Sequence, residues 1–201
     1  MTRTVEVGVP VIRRWRSANC WLGRPYGPPI AFVIHTETGG ESGTVAEFLS
    51  SSSQLSTHYA VGLDGSIDCF VDPHHRAWSN GVLEPGNLWT AIATDCHVDP
   101  ALNPNHVTVT CETEDKGESG QEVSDDQYNA VLYAAWEAMQ RYPTSLRYLA
   151  RHADISPQSR ADCPGDRWLR TGRFEALADT LGLKTTISAL APPVGAGGTR
   201  W

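Results

Sequence analysis

The sequence lacks any apolar run long enough to form a membrane-spanning helix. Its first ten residues also lack the apolar stretch of a secretory signal peptide. We therefore expect a chain that is synthesised and first held in the cytoplasm, with no membrane as a partner. Basic residues are scarce too, since 16 Lys and Arg stand against 23 Asp and Glu, giving a formal net charge of −7. A nucleic acid is therefore not an expected partner, because phosphate contacts need clustered Lys and Arg.

A regular cysteine framework is also missing. The five cysteines form an odd set without regular spacing: Cys20, Cys69, Cys96, Cys111 and Cys163. Such a set is a poor basis for a disulfide scaffold and leaves at least one thiol for other chemistry.

The domain organisation follows from length and local composition. A chain of 201 residues with 40% hydrophobic residues is long enough for one domain with a substantial core. We predict one domain over residues 1–183 and a Pro/Gly-rich tail or linker over 184–201. Residues 1–30 carry five arginines against Glu6 alone, and this basic segment is interpreted as a solvated, loosely held arm.

Strands and helices alternate along the chain. Residues 31–35 form an apolar run that predicts a buried strand, and residues 56–71 predict a hairpin around Asp64-Gly65. Residues 106–114 alternate, placing Val107, Val109 and Cys111 on one face and the glutamates on the other. Helices are predicted over 43–53, after the cap Ser124, and over 166–183. The predicted fold class is α/β, with a single central mixed β-sheet flanked by helices.

Three side chains form a candidate metal site. His35 ends the first strand, His152 follows the long helix, and Cys163 directly precedes Pro-Gly. Imidazole nitrogen and thiolate sulfur are the ligands that zinc prefers, and a catalytic zinc keeps its fourth position open for water. Spacing alone does not decide the matter, because a lone buried cysteine usually serves packing.

Four stretches make the sequence similar to a known family: FVIHTETGG, STHYAVGLDGSI, NHVTVTCETE and RHADISPQSRADCPGD. In this order they resemble the zinc-dependent N-acetylmuramoyl-L-alanine amidases, which share a fold with T7-type lysozyme and the peptidoglycan recognition proteins. The resemblance spans about residues 31–168. It implies an enzyme that binds Zn²⁺ and cleaves the amide bond between N-acetylmuramic acid and L-alanine of peptidoglycan.

The resemblance also implies roles for individual residues. His35, His152 and Cys163 match the three zinc ligands, with Asp162 as a rival for the third position. Glu112 matches a glutamate that serves as general base, with Glu114 on the same face as its nearest rival. The remaining assignments are Tyr59 as the phenol that faces the zinc, Arg160 in place of a family lysine missing at Ala161, and Trp78, Asn80 and Thr36 as substrate-binding residues.

Several functional alternatives stay open at this point. The enzyme is either an endolysin that acts on the bacterial cell wall, which we favour because of the Pro/Gly-rich tail, or a cytoplasmic amidase that recycles muropeptides. A receptor that binds peptidoglycan without cleaving it is the second class. A hydrolase that uses Cys163 as its nucleophile is the third, although a Pro-Gly turn is not the helix N-terminus that commonly activates such a thiol. The sequence leaves the oligomeric state undetermined.

Overall fold

The computed structural model describes residues 10–118 and 121–186 of the chain. Eight strands lie within this part: β1 (Ile12–Arg14), β2 (Cys20–Trp21), β3 (Ala31–Glu37), β4 (Tyr59–Val61), β5 (Ile67–Cys69), β6 (Arg76–Ala77), β7 (Thr108–Glu114) and β8 (Tyr148–Arg151). The helices are α1 (Gly40–Leu49), α2 (Trp89–Asp95), α3 (Asp125–Arg141), α4 (Asp166–Arg170) and α5 (Arg173–Leu181). Short 3-10 turns occupy Pro104–His106 and His152–Asp154. No helix among the described residues combines the length and apolar character needed to cross a membrane.

Six strands form the central sheet, in the order β1-β5-β4-β7-β3-β8. All neighbours in it are parallel except β4 and β5, which form the predicted antiparallel hairpin. The prediction of an α/β fold with one central mixed sheet is therefore confirmed. Strands β2 and β6 add a separate antiparallel ribbon that the sequence did not predict.

The strand β3 is buried on both faces, which explains its continuous apolar sequence. Phe32 and Ile34 pack in the larger core beneath α3 and α5. Ala31 and Val33 point to the other face, where they pack with residues of α2. Because His35 continues this alternation, its side chain leaves the sheet on the α2 side, away from the larger core.

Several helix boundaries differ from the predictions. Helix α1 begins three residues earlier than predicted and ends at Leu49, so the serine run forms the turn that follows it. The helix predicted over 166–183 is interrupted, because Gly172 adopts a left-handed conformation between α4 and α5. Helix α3 begins as predicted, with the Ser124 hydroxyl accepting a hydrogen bond from the Gln127 amide at 3.1 Å.

One face assignment in β7 is corrected. Val109 and Cys111 lie in the larger core as predicted, but Val107 packs on the opposite side of the sheet with Ile30 and Ala31. Val107 ends the preceding 3-10 turn, so the strand alternation begins only at Thr108.

The described part of the basic N-terminal segment is not a loose arm. Strand β1 pairs in parallel with β5, and Arg13 donates to the Asp68 carboxylate at 2.7 Å. The Arg24 guanidinium donates to the backbone carbonyls of Pro73 and Thr108. Two of the arginines predicted to be solvated, Arg13 and Arg24, therefore hold this segment against the sheet, whereas Arg14 and Arg16 are exposed. The tail prediction lies mostly outside the described residues, and the domain boundaries stay a prediction.

Candidate functional site

Strand register brings the candidate side chains to one edge of the sheet. The strands β3 and β7 pair in parallel, with His35 opposite Glu112. The strand β8 lies on the other side of β3 and ends at Arg151, so His152 emerges beside His35. In open α/β sheets, ligand sites lie outside the carboxyl ends of parallel strands, and this edge is such a place.

Three of these side chains form a compact cluster of metal-ligand atoms. One nitrogen from His35, one nitrogen from His152 and the Cys163 sulfur all lie within 4.8 Å of one another. The residues come from positions far apart in the chain, yet the fold brings them together as predicted. The rival ligand Asp162 is exposed and does not belong to this cluster.

The two imidazoles are held neutral. His35 is 2% exposed, and burial, followed by the charge of His152, lowers its pKa well below the usual range. Burial is also the main cause that lowers the pKa of His152 to about 4. A neutral imidazole keeps a nitrogen lone pair available, which is what a metal ligand requires.

The surroundings of the Cys163 sulfur favour the neutral thiol, so a thiolate is expected there only with a cation nearby. The backbone amide of Thr36 donates to the Cys163 sulfur at 3.2 Å, and the Cys163 carbonyl accepts from the Ala153 amide at 3.1 Å. Burial and the charge of Glu112 raise the pKa of the Cys163 thiol to about 12. Two neutral imidazoles and one such sulfur form the donor set that a borderline-soft divalent transition metal prefers.

A carboxyl group adjoins the cluster. The Glu112 Oε1 atom lies 3.7 Å from His35 Nδ1, and the Glu112 side chain is 12% exposed. Burial, with a contribution from the charge of Glu37, raises the pKa of Glu112 well above its usual range. Glu114 occupies the other end of this face and accepts a hydrogen bond from the Leu63 amide instead. Glu112 is therefore the glutamate of β7 that faces the candidate metal site.

The predicted catalytic role of Tyr59 is wrong for this geometry. Tyr59 pairs with Cys111 in the register of β4 and β7, so its ring enters the larger core, and Ala60 is the residue beside Glu112. The Tyr59 hydroxyl donates to the Glu137 carboxylate of α3 at 3.3 Å. Neighbouring His58 lies on the opposite face, where it is buried and its Nδ1 accepts a hydrogen bond from the Thr110 amide.

A groove of about 700 Å³ lies over the cluster. It is lined by the three ligand residues and Glu112, by Arg160 from the loop before Cys163, and by Trp78. Helix α1 contributes Glu47 and Phe48, which the sequence reasoning did not place in the site. The sequence predicted a helix here, but nothing local to its sequence indicates which edge of the sheet it covers.

Two of the predicted substrate-binding residues contact the cluster: Asn80 lies outside the groove lining, whereas Thr36 both lines the groove and contacts Cys163. Asn80 is fully buried, and its side-chain oxygen lies 3.1 Å from His35 Nε2. The Thr36 hydroxyl donates to the Thr113 carbonyl at 3.3 Å, while the Thr36 amide contacts the cysteine. Thr36 nevertheless lines the groove beside Arg160 and Trp78, so contact of these three with substrate stays a prediction.

The comparisons with known proteins agree with this geometry. Residues 25–166 match a protein family described as N-acetylmuramoyl-L-alanine amidase. A comparison with curated proteins found no significant match in sequence.

Solved structures share the fold. A selenomethionine derivative of AmpD has a TM-score of 0.62 at 21% identity, covering 88% of this chain and 99% of that chain. The endolysin amidase LysCS from Clostridium intestinale URNW has a TM-score of 0.53 at 15% identity, covering 88% and 100%. AmiD from E. coli, in complex with the substrate anhydro-N-acetylmuramic acid-L-Ala-D-gamma-Glu-L-Lys, has a TM-score of 0.55 at 24% identity, covering 79% and 59%.

Proposed function

Because the chain belongs to the N-acetylmuramoyl-L-alanine amidase family, we propose that His35, His152 and Cys163 hold a catalytic Zn²⁺. The enzyme hydrolyses the amide bond that joins N-acetylmuramic acid to L-alanine in peptidoglycan. The observation that carries the zinc assignment is the convergence of these three side chains within 4.8 Å. When bound, zinc supplies a Lewis acid that polarises a carbonyl oxygen and makes water acidic enough to attack near neutral pH.

The residues around the cluster provide the proton transfers and charge stabilisation that amide hydrolysis needs. Glu112 takes a proton from the attacking water and delivers it to the departing amide nitrogen. Arg160 lines the same groove and places a permanent positive charge where the substrate carbonyl becomes an oxyanion. With Tyr59 in the core, Arg160 is the predicted catalytic side chain left to stabilise that oxyanion.

The groove wall favours a polymeric substrate. Trp78 lines the groove, and its ring centroid lies 5.5 Å from that of Trp21. Trp21 and the neighbouring Tyr26 are 37% and 55% exposed, so aromatic surface continues beyond the groove. Aromatic faces are natural contact surfaces for sugar rings. We therefore favour an endolysin role at the bacterial cell wall over recycling of released muropeptides.

One experiment tests both the metal and the reaction. Purified protein is analysed for bound zinc, then incubated with cell walls and with purified muropeptide, with and without a chelator. We expect one zinc per chain and new L-alanine amino termini that disappear on chelation and return with added Zn²⁺. Faster cleavage of walls than of muropeptide supports the endolysin role, and the reverse supports recycling.

Two other outcomes would overturn the proposal. Wall binding without new amino termini would favour a receptor that binds peptidoglycan without cleaving it. Full cleavage by metal-free protein would favour Cys163 as a nucleophile, a role that its burial and raised pKa oppose.

A further inference from the structure

Asn80 contacts both imidazoles of the cluster. Its side-chain Oδ1 lies 3.1 Å from His35 Nε2, and its backbone carbonyl oxygen lies 3.1 Å from His152 Nε2. Asn80 itself is 0% exposed, so water does not compete for these contacts. The protonation pattern of the two rings therefore depends on which Asn80 atoms are acceptors.

Hydrogen bonds to Thr108 determine which end of the Asn80 side-chain amide, the oxygen or the nitrogen, faces His35. The Thr108 hydroxyl donates its single hydrogen to the Pro104 carbonyl at 2.9 Å. Thr108 Oγ1 is then an acceptor toward Asn80, whose Nδ2 donates to it at 2.8 Å. Because the amide nitrogen faces Thr108, the amide oxygen must face His35.

The backbone of Asn80 is held in place as well. Its amide donates to the Asn105 side-chain oxygen at 2.8 Å, and Asn105 is itself buried. This contact orients the peptide unit of the residue whose carbonyl faces His152. A short buried network thus lies directly behind the two imidazoles.

We propose that Asn80 is a positioning residue that sets the tautomer of both histidines. An oxygen acceptor at each Nε2 requires that nitrogen to carry the hydrogen, so each Nδ1 keeps its lone pair and faces the cluster. Partners that fix the ring of a metal-binding histidine in this way raise metal affinity. This inference rests on the proposed zinc site, because it says which nitrogen of each ring serves as ligand.

The two rings respond differently to a change in the Asn80 side chain. His35 relies on the side-chain amide, whereas His152 relies on the backbone carbonyl, which every substitution retains. Asn80→Ala therefore removes the acceptor of His35 alone. His152 becomes an internal control within the same protein.

The tautomers are measured first, without metal. Two-dimensional NMR of ¹⁵N-histidine-labelled, zinc-free protein distinguishes Nε2–H from Nδ1–H rings. We expect Nε2–H at both rings in the wild type, and a mixture at His35 alone in Asn80→Ala. An Nδ1–H ring at His35 in the wild-type protein would overturn the inference even if the variant failed to fold.

Zinc affinity, measured by competition with a chelator, gives the second readout. Asn80→Ala should weaken it by about 10- to 100-fold. Asn80→Asp keeps an oxygen acceptor and should restore both the Nε2–H tautomer and the affinity. Asn19→Ala is a matched control, because Asn19 is a buried asparagine that bonds the Ser50 and Leu55 carbonyls and touches neither histidine.

The two proposals fail in distinguishable ways. A wild-type protein that binds no zinc contradicts the proposed function, whatever the tautomers are. A wild-type protein that binds zinc, with Asn80→Ala equal to it in affinity and in the His35 tautomer, overturns the positioning role. Equal weakening by Asn80→Ala and Asn19→Ala would likewise overturn it, since general loss of stability would then explain the effect.

Discussion

The side chains at the site divide into those that hold the cluster and those that face the substrate. Each imidazole faces an oxygen of buried Asn80, and the Cys163 sulfur accepts a hydrogen bond from the Thr36 amide. Glu112 and Arg160 line the groove itself. Substitutions of the first kind should therefore change metal affinity, and substitutions of the second kind should change turnover.

Glu112→Gln should separate turnover from metal binding. The amide keeps the shape of the side chain but cannot accept the proton of the attacking water, so we expect kcat to fall by about 10²- to 10⁴-fold. Zinc content should stay at the wild-type level, as measured by metal analysis of the same sample.

The matched control is Glu114→Gln on the same strand face. Its carboxylate accepts from the Leu63 amide and lies outside the groove lining, so cleavage should stay close to wild type. Equal losses in the two variants would contradict the assignment of Glu112 as the proton-transfer group.

Tyr59→Phe tests the correction of the predicted phenol. Its hydroxyl contacts Glu137 on the far side of the sheet, so we expect cleavage within about twofold of the wild type. Removing this hydrogen bond should lower the free energy of unfolding by about 1 kcal/mol, measured by urea denaturation. A loss of cleavage comparable to that of Glu112→Gln would restore a catalytic role for Tyr59.

At the scale of elements, local sequence patterns predicted individual strands and helices but not the register in which the strands pair. Alternation identified β7 and placed Glu112 and Glu114 on one face, and the Asp64-Gly65 turn identified the hairpin. The role predicted for Tyr59 came from the resemblance and not from alternation, and the register of β4 against β7 contradicts it. The parallel pairing of β4 with β7 joins segments about 50 residues apart, and alternation within one strand does not say which residue of the other lies beside it.

The three proposed zinc ligands could be predicted because the resemblance to the amidase family identified them together. Periodicity along the chain did not connect them. The ribbon of β2 and β6 could not be predicted, because each of its strands has only two residues. This ribbon holds Trp21 beside Trp78 of the groove lining, and its strand β2 belongs to the segment interpreted as a loose arm. The place of this ribbon beside the groove is therefore a property of the fold that local sequence does not reveal.

Trp21→Ala should affect long substrates selectively. The ring lies beside Trp78 but outside the groove lining, so we predict that it contacts only a glycan strand long enough to extend beyond the groove. We expect KM for cell walls to rise about two- to tenfold, as for the loss of one aromatic contact, with little change for soluble muropeptide. Release of amino termini from both substrates measures the difference.

Leu22→Ala is the control for this ribbon, since Leu22 is a neighbouring apolar residue that is 73% exposed and has no ring. It should leave both KM values unchanged. Equal weakening of walls and muropeptide by Trp21→Ala would contradict an extended glycan contact.

At the scale of the whole molecule, we expect buried neutral histidines to make the stability of the fold sensitive to acid. His58 is 1% exposed, and its Nδ1 accepts a hydrogen bond from the Thr110 amide at 3.0 Å. If Nδ1 were protonated, its N–H would point at the Thr110 N–H, and this hydrogen bond would be lost. Burial, followed by the charge of Arg24, lowers the pKa of His58 to about 3.

The sign of the pH dependence follows from this pKa. Between about pH 3 and 6.5 the unfolded chain binds a proton at His58 that the folded chain does not, so stability falls as the pH falls through this window. One proton corresponds to about 1.4 kcal/mol per pH unit. In His58→Gln this contribution disappears, and the slope of the free energy of unfolding against pH should be shallower by that amount. Urea denaturation of zinc-free protein across the window measures the slope.

His35 and His152 contribute equally in both proteins, so the difference isolates His58. An unchanged slope in His58→Gln would mean that His58 is protonated in the folded chain.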